Sequence, residues 1–215
     1  MPLDIRVVEL LTSRFCHDLV SPVGAIRNGL ELIEEMDEGE PNPAFMGEAI
    51  KLIDHSSGQA DRRLRLFRLA YGLAGREMRG FVDARAAALG WTEGGKTRVD
   101  WPQGIPHDMA GGKPGLGKTL LNVVVLAEEA LTHGGAVLVG GQGDEFSGRV
   151  TVTAQGRPGN LNPDAAAALA GTTAVDDLTA RTVHAYVTGR FAEYYGLRLS
   201  AAPAGHETLV FTLEW

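Results

Sequence analysis

The first chemistry-bearing stretch of the chain is FCHDLVSPVGAI, residues 15–26, which places a histidine, an acid and a proline close together. Asp18 directly follows His17 and can accept the proton of one ring nitrogen, which leaves the other nitrogen as a nucleophile. Such an arrangement suits phosphoryl transfer at nitrogen. Pro22 lacks an N–H, so the carbonyl of Asp18 loses its intrahelical donor and the helix bends. The bend could serve this chemistry or wrap a long helix round a core, and these residues alone leave both explanations open.

The apolar spacing predicts which face of the helix carries His17. At about 100° per residue, one continuous apolar stripe includes Val8, Leu11, Phe15, Leu19, Ile26, Leu30 and Ile33. His17 falls at about 180° from this stripe, so we expect an exposed imidazole that can meet another protein. The candidate partner-binding residues around it are Gly24 and Asn28 beside it, and Arg14 and Ser21 at its flanks.

Two other chemistries are not indicated around His17. The six histidines are scattered, with no H-x-x-x-H spacing and no paired cysteines, so we expect no metal site. Cys16 adjoins His17, but adjacent residues on a helix diverge by about 100° and do not face each other. A thiol–imidazole dyad is therefore not expected.

The elements that position His17 form the first of two predicted domains. Residues 3–36 and 44–76 are helical by pattern, and the turn-forming DEGEPNP at 37–43 connects them. Two long helices with such a connection form an antiparallel hairpin, which we predict for a domain over residues 1–79. Its clustered arginines are either a solvated face or a docking surface for an acidic partner: Arg62, Arg63, Arg65 and Arg68.

The pattern changes in residues 80–215, which we predict to be a second domain, an α/β sandwich. Strands are predicted at 96–101, 136–140, 148–154, 197–203 and 207–215, and helices at 118–133, 162–171 and 177–196. Asn162 is a candidate helix cap, with Pro163 at the first helical position. We expect an antiparallel or mixed sheet covered on one face by helices.

The composition excludes several classes of protein. Of 215 residues, 44% are hydrophobic and 22% are charged, which is ordinary for a globular protein. The formal net charge of −7 argues against a nucleic-acid binder, and every apolar run is shorter than the ~20 residues of a membrane span. The start, MPLDIRVVELL, lacks signal-peptide features, and a single cysteine suits a reducing compartment. We expect a cytoplasmic protein with no membrane or nucleic-acid partner.

The segment around His17 also resembles a known family. HDLVSP at 17–22 resembles the H-box of sensor histidine kinases, and CHDLVSPVGAIRNGLELIEE at 16–35 resembles the ChpT-type histidine phosphotransferases of alphaproteobacteria. This implies a homodimer whose hairpins form a four-helix bundle, followed by a degenerate histidine-kinase ATPase-like α/β sandwich. It implies that His17, assisted by Asp18, relays a phosphoryl group between receiver-domain aspartates. The implied donor is the receiver of a hybrid histidine kinase, and the acceptors are response regulators.

An ATP-dependent sensor kinase is the first alternative function. Asn122 matches the first Asn of the kinase Asn-rich box, but Leu126 stands where the magnesium-binding Asn is expected. Ala154 occupies the position of the adenine-reading Asp, and no G-x-G-x-G precedes the last long helix. Leu cannot ligate Mg²⁺, and Ala cannot accept the adenine amine. We therefore expect this chain to bind no cofactor, with the Mg²⁺ of the reaction held by the partner receiver domain.

A P-loop NTPase is the second alternative, because GKPGLGKT at 112–119 matches the pattern G-x-x-x-x-G-K-[ST]. A working P-loop follows a buried parallel strand, whereas PQGIPHDMAG precedes this one, and we predict no parallel β-α-β succession. We expect Lys118 and Thr119 to open an ordinary helix. ATP binding by the purified protein would separate the relay enzyme from both alternatives.

The homodimer is also expected from the surface of the hairpin. The second helix adds its own apolar positions to the stripe on the first: Ile53, Ala60, Leu64, Phe67 and Tyr71. Together they form more apolar surface than one hairpin can bury alone, and burial is worth roughly 25 cal/mol per Å².

Overall fold

Two long helices form the N-terminal part of the protein in the computed structural model, which describes residues 4–37, 43–78, 80–104, 113–144, 146–157 and 161–215. Helix α1 spans Ile5–Asp37 and continues through Pro22, and helix α2 spans Pro43–Ala70. Phe15 packs on Phe67 near one end of the pair and Gly29 approaches Ile53 further along, so the helices are antiparallel. The predicted turn at 37–43 lies mostly outside the described residues, as does position 79 at the predicted domain boundary.

A five-stranded mixed sheet with helices packed on it forms the C-terminal part, which is the second of the two predicted alternatives, an antiparallel or a mixed sheet. Its helices are α3 (Val82–Trp91), α4 (Leu116–Glu129), α5 (Pro163–Leu169) and α6 (Val183–Tyr194). Its strands are β1 (Thr97–Asp100), β2 (Gly135–Gly143), β3 (Gly148–Gln155), β4 (Arg198–Pro203) and β5 (Thr208–Glu214). The order is β1-β2-β3-β5-β4, with β1 and β2 parallel and the other pairs antiparallel.

The core lies between this sheet and α4. Alternate strand residues face α4, because strand side chains alternate between the two sides of a sheet; Val137, Val152 and Phe211 are all buried in this way. Helix α4 is itself buried from Leu116 to Ala127, and only its last turn, Glu128 and Glu129, is half-exposed. Among the described residues, no helix combines the length and hydropathy needed to cross a membrane.

Several helix boundaries differ from those predicted: α2 ends at Ala70 rather than at 76, and α4 ends at Glu129 rather than at 133. Helix α3 was not predicted. Helix α6 begins at Val183 rather than at 177, because the hydroxyl of Thr182 accepts from the N–H of Thr179 and holds a turn there. Helix α4 begins two residues earlier than predicted, after Gly115 with its left-handed φ of 78°. Asn162 caps α5 as predicted, with its side chain accepting from the N–H of Asp164.

The predicted absence of a parallel β-α-β succession is wrong. Strand β1, helix α4 and strand β2 form one, because β1 pairs in parallel with β2 after the crossover through α4. The four-residue strand β1 is too short, and too far before the glycine-rich motif, for its pattern to indicate this pairing.

Part of the apolar surface of the hairpin is covered within the chain. The ring of Phe15 lies 4.6 Å from that of Phe67 and 4.7 Å from that of Tyr71, measured between centroids. Phe67 in turn lies 6.3 Å from Trp91 of α3. The C-terminal part therefore covers this end of the stripe.

Candidate active site

His17 projects from the middle of α1 into solvent, as its helical position predicts. Its side chain is 90% exposed, and its Nδ1 lies 3.5 Å from Oδ1 of Asp18, at the long end of a hydrogen bond. The Asp18 carboxylate is more enclosed, with 23% of its side chain exposed. Of the two ring nitrogens, Nδ1 is therefore the one beside the Asp18 acceptor.

The backbone next to His17 carries a carbonyl that the helix itself does not satisfy. Pro22 has no N–H to donate to the carbonyl of Asp18 four residues earlier. In the structure the guanidinium of Arg63, on α2, donates to this carbonyl. Pro22 therefore creates an acceptor beside the histidine, and the facing helix supplies its donor.

Arg63 is in turn held by the C-terminal part. Its guanidinium carbon lies 6.0 Å from the centroid of the Trp91 ring, within the range of a cation–π contact. The indole N–H of Trp91 donates to Oε2 of Glu128 at 3.4 Å. A chain of contacts thus leads from the last turn of α4, through α3 and α2, to the backbone beside His17.

Arg14, one turn before His17, leads to the same end of α4. Its guanidinium is ion-paired with Glu129, and only 17% of its side chain is exposed. Glu129 also accepts from Nδ1 of His184 on α6, at 3.1 Å. Arg14 was predicted as a partner-binding residue, but the structure engages it inside the protein.

His184 occupies the centre of this buried network. Its Nε2 lies 3.2 Å from Oδ1 of Asn122, whose amide nitrogen donates to the carbonyls of Ala70 and Lys118. The ring thus lies between two oxygen atoms, one of the Glu129 carboxylate and one of the Asn122 amide. Burial alone would raise the pKa of Glu129, but the nearby His184 and Arg14 hold it below its ordinary value.

Three further residues of the predicted site share the exposed face of α1 with His17. Ser21 and Asn28 are exposed, and Gly24 is half-buried. A Cβ built on Gly24 would meet no atom within 4 Å. The structure thus places Ser21, Gly24 and Asn28 on one open surface. Arg14 does not lie on that surface, because it is paired with Glu129.

Lys118, the lysine of the P-loop-like motif, has a structural role. Gly112 lies outside the described residues, but Lys118 is only 4% exposed, and its ammonium donates to the carbonyls of Tyr71 and Gly72 at 2.8 and 2.9 Å. The hydroxyl of Thr119 donates to the carbonyl of Gly115. Lys118 therefore satisfies backbone acceptors just beyond the end of α2.

The positions compared with kinase motifs lie in the core. Leu126 is 2% exposed and Ala154 is fully buried. Asn122 is fully buried too, and its amide is used by Ala70, Lys118 and His184. All three side chains contribute to packing or to the buried network.

Sequence reasoning missed Arg63, Trp91, Glu128, Glu129 and His184 as neighbours of the site. Glu129 lies 115 residues from Arg14 and 55 from His184 along the chain, so no local spacing signals these contacts. The available signal was weak: a Glu pair at the end of an otherwise apolar helix.

Comparison with known proteins identifies the family of the chain. The matching family model is that of the histidine phosphotransferase C-terminal domain, which covers residues 81–207. The protein phosphotransferase ChpT of Brucella abortus (strain 2308) is 33% identical over 222 residues, spanning 100% of this chain and 99% of that protein. A solved structure of a bacterial phosphotransferase is 30% identical, with a TM-score of 0.79 over 99% of this chain and 98% of that chain.

These similarities do not favour a sensor kinase or a P-loop NTPase. The chain belongs to the histidine phosphotransferases, the enzymes that relay a phosphoryl group in a bacterial phosphorelay.

Proposed function

We propose that His17 is the residue that carries the phosphoryl group. The observation that carries this proposal is the exposed imidazole with its Nδ1 beside Asp18, which leaves Nε2 free to react. Nε2 attacks the phosphorus of a receiver's aspartyl phosphate in line. The N–P bond forms, the P–O bond to the aspartate breaks, and the carboxylate leaves with the electron pair. Asp18 accepts the hydrogen bond of the Nδ1 proton and stabilises the positive charge that develops on the ring.

The return step is the same reaction in reverse. The aspartate of a second receiver attacks phosphorus, the N–P bond breaks, and the electron pair returns to Nε2. Charge neutralisation at the phosphoryl oxygens comes from Mg²⁺ bound by each receiver, so this chain needs no cofactor of its own. The first receiver belongs to a hybrid histidine kinase and the second to a response regulator.

The receiver docks, in this proposal, on the face of α1 that carries Ser21, Gly24 and Asn28. These residues lie one to three turns beyond His17 on the same side of the helix. The absence of a side chain at Gly24 leaves open space in which a partner's side chain can approach the α1 backbone.

The protein acts as a homodimer, in which a second copy covers the remaining apolar surface of the hairpin. Val23 and Leu30 are one heptad apart on α1 and are 55% and 49% exposed. Phe45 and Leu52 repeat this spacing on α2, at 41% and 37% exposed. Paired stripes of this kind suit a four-helix bundle made of two hairpins.

The C-terminal sandwich, a kinase-like domain that binds no ATP, supports each hairpin. The protein works in the cytoplasm, where Cys16 stays reduced.

The test measures phosphoryl transfer to this protein from receiver domains of the same organism. The receivers are first phosphorylated with radiolabelled acetyl phosphate, and the unreacted acetyl phosphate is removed. We expect wild-type protein to be labelled and His17→Ala to remain unlabelled while keeping the wild-type circular dichroism spectrum. Labelling of folded His17→Ala would overturn the assignment. Gly24→Met should weaken acceptance by raising the receiver concentration needed for half-maximal rate, whereas Gly47→Met, at an equally open glycine on α2, should not.

A further inference from the structure

Two arginines lie close to Asp18. Arg14 is one helical turn before Asp18 on α1, where side chains four residues apart are neighbours, and its guanidinium is paired with Glu129. Arg63 donates to the backbone carbonyl of the same residue. One arginine therefore neighbours the Asp18 side chain along α1, and the other binds its main chain from α2.

Both arginines are held by the last turn of α4. Glu129 pairs with Arg14 directly, and Glu128 reaches Arg63 through Trp91. Each glutamate has a second contact: Glu128 accepts from the indole N–H of Trp91, and Glu129 accepts from His184. The rest of α4 is buried in the core, so this turn connects both contacts to the core.

Solvent exposure of His17 makes this support necessary. A side chain that is 90% exposed has few packing contacts of its own, so its ring orientation depends on Asp18. Without Arg63, the carbonyl of Asp18 would have no hydrogen-bond donor within the helix, because Pro22 lacks an N–H. Reaction rates depend on such geometry, and a misplacement of about 1 Å can cost on the order of a hundredfold.

We propose that Arg14 and Arg63 are positioning residues, which hold Asp18, and through it the ring of His17, against the end of α4. The inference rests on the proposed role of His17 as the phosphoryl carrier. It gives the C-terminal part a direct effect on the reaction, besides any part it has in docking receivers.

The experiment compares Arg14→Met and Arg63→Met with two matched controls. Arg62→Met removes a neighbouring α2 arginine of similar exposure that pairs with Glu93, and Arg27→Met removes an α1 arginine that pairs with Glu31. Phosphorylation of the His17 peptide is measured with two donors: a labelled receiver domain, and phosphoramidate, a small phosphoryl donor that needs no docking surface.

A positioning role predicts that both test variants slow phosphorylation by about tenfold or more with either donor. The receiver concentration at half-maximal rate should stay at the wild-type value, and both controls should react like wild type. A loss confined to the receiver donor would make the arginines docking residues and overturn the proposal. Rates equal to those of the controls would overturn it as well.

A rescue variant keeps the test decisive if Arg63→Met folds poorly. Pro22→Ala restores an N–H that can donate to the Asp18 carbonyl within α1. Pro22→Ala/Arg63→Met should therefore recover part of the rate lost in Arg63→Met, and so should Arg63→Lys, which retains a donor. No recovery in either variant would refute the role of Arg63.

The outcome for His17 separates this inference from the proposed function. If His17→Gln is still phosphorylated by the receiver, the carrier assignment itself fails. If His17 is required but the arginine variants match their controls, only the positioning inference fails.

Discussion

Replacing Lys118 tests whether the P-loop-like motif is structural. The Lys118→Met variant keeps most of the aliphatic stem and removes the ammonium that donates to the carbonyls of Tyr71 and Gly72. Gly72 keeps a second donor, the N–H of Gly75, whereas Tyr71 loses the donor supplied by Lys118. A buried acceptor left without its partner costs about 1–3 kcal/mol. We therefore expect the free energy of unfolding to fall by about 1–3 kcal/mol.

The assay is urea unfolding at pH 7, followed by circular dichroism. Burial lowers the pKa of Lys118 to about 8, so the wild-type ammonium is still largely protonated under these conditions. The midpoint should fall with an unchanged slope, because the surface exposed on unfolding is the same. The matched control is Lys113→Met, at the other lysine of the motif, which should unfold like wild type.

The same variant separates a structural lysine from a phosphate ligand. At temperatures where it is folded, Lys118→Met should still accept a phosphoryl group on His17. The structural role would be refuted if Lys118→Met kept the wild-type unfolding midpoint, and if the wild-type protein bound Mg-ATP while the variant did not. That result would support the NTPase alternative.

Three further predictions follow from individual contacts. The pKa of Glu129 is lowered in the folded state, so its stabilising contribution is present above about pH 4.5 and is lost as the pH falls through the folded pKa. In Glu129→Gln the free energy of unfolding should therefore fall less steeply at acid pH than in wild type. The same acid dependence in both proteins would contradict this. Gly115→Ala should lower the free energy of unfolding, measured in urea, by about 1–3 kcal/mol, because the added Cβ would lie 2.2 Å from an aromatic carbon. The loss should exceed that of Gly171→Ala, because Gly171 has a similar positive φ but open space around it. Leu30→Glu should convert a dimer into a monomer by light scattering while Val82→Glu, on the exposed face of α3, does not; a wild-type monomer at micromolar concentration would refute the dimer.

The hairpin and the exposure of His17 could be predicted because they depend on local periodicity. Positions on a helix repeat every 3.6 residues, so the apolar residues of α1 identify the opposite face directly. The strands of the sheet follow from equally local patterns of alternating residues. The pairing of β1 with β2 could not be predicted in this way, because it depends on a crossover through α4.

The support of His17 could not be predicted, because it is made by residues far apart in the chain. Arg14 has the same sequence features whether it meets a receiver or Glu129, and only the packing of α4 on the hairpin distinguishes the two. Asn122 illustrates the same limit: its position matches a kinase motif, yet its amide joins α2, α4 and α6. The apolar stripe was similarly ambiguous, since a second copy and the C-terminal part are both able to cover it.

Mapping the phosphorylated residue is the most direct test of the account. Wild-type protein is labelled by a phosphorylated receiver, digested at alkaline pH and analysed by mass spectrometry, and a second, unlabelled receiver is then added to the intact labelled protein. We expect an acid-labile, alkali-stable phosphoryl group on the peptide that contains His17, and we expect the second receiver to remove it. A stable label on any other residue, or a label on His17 that no receiver removes, would contradict the claim that His17 relays the phosphoryl group.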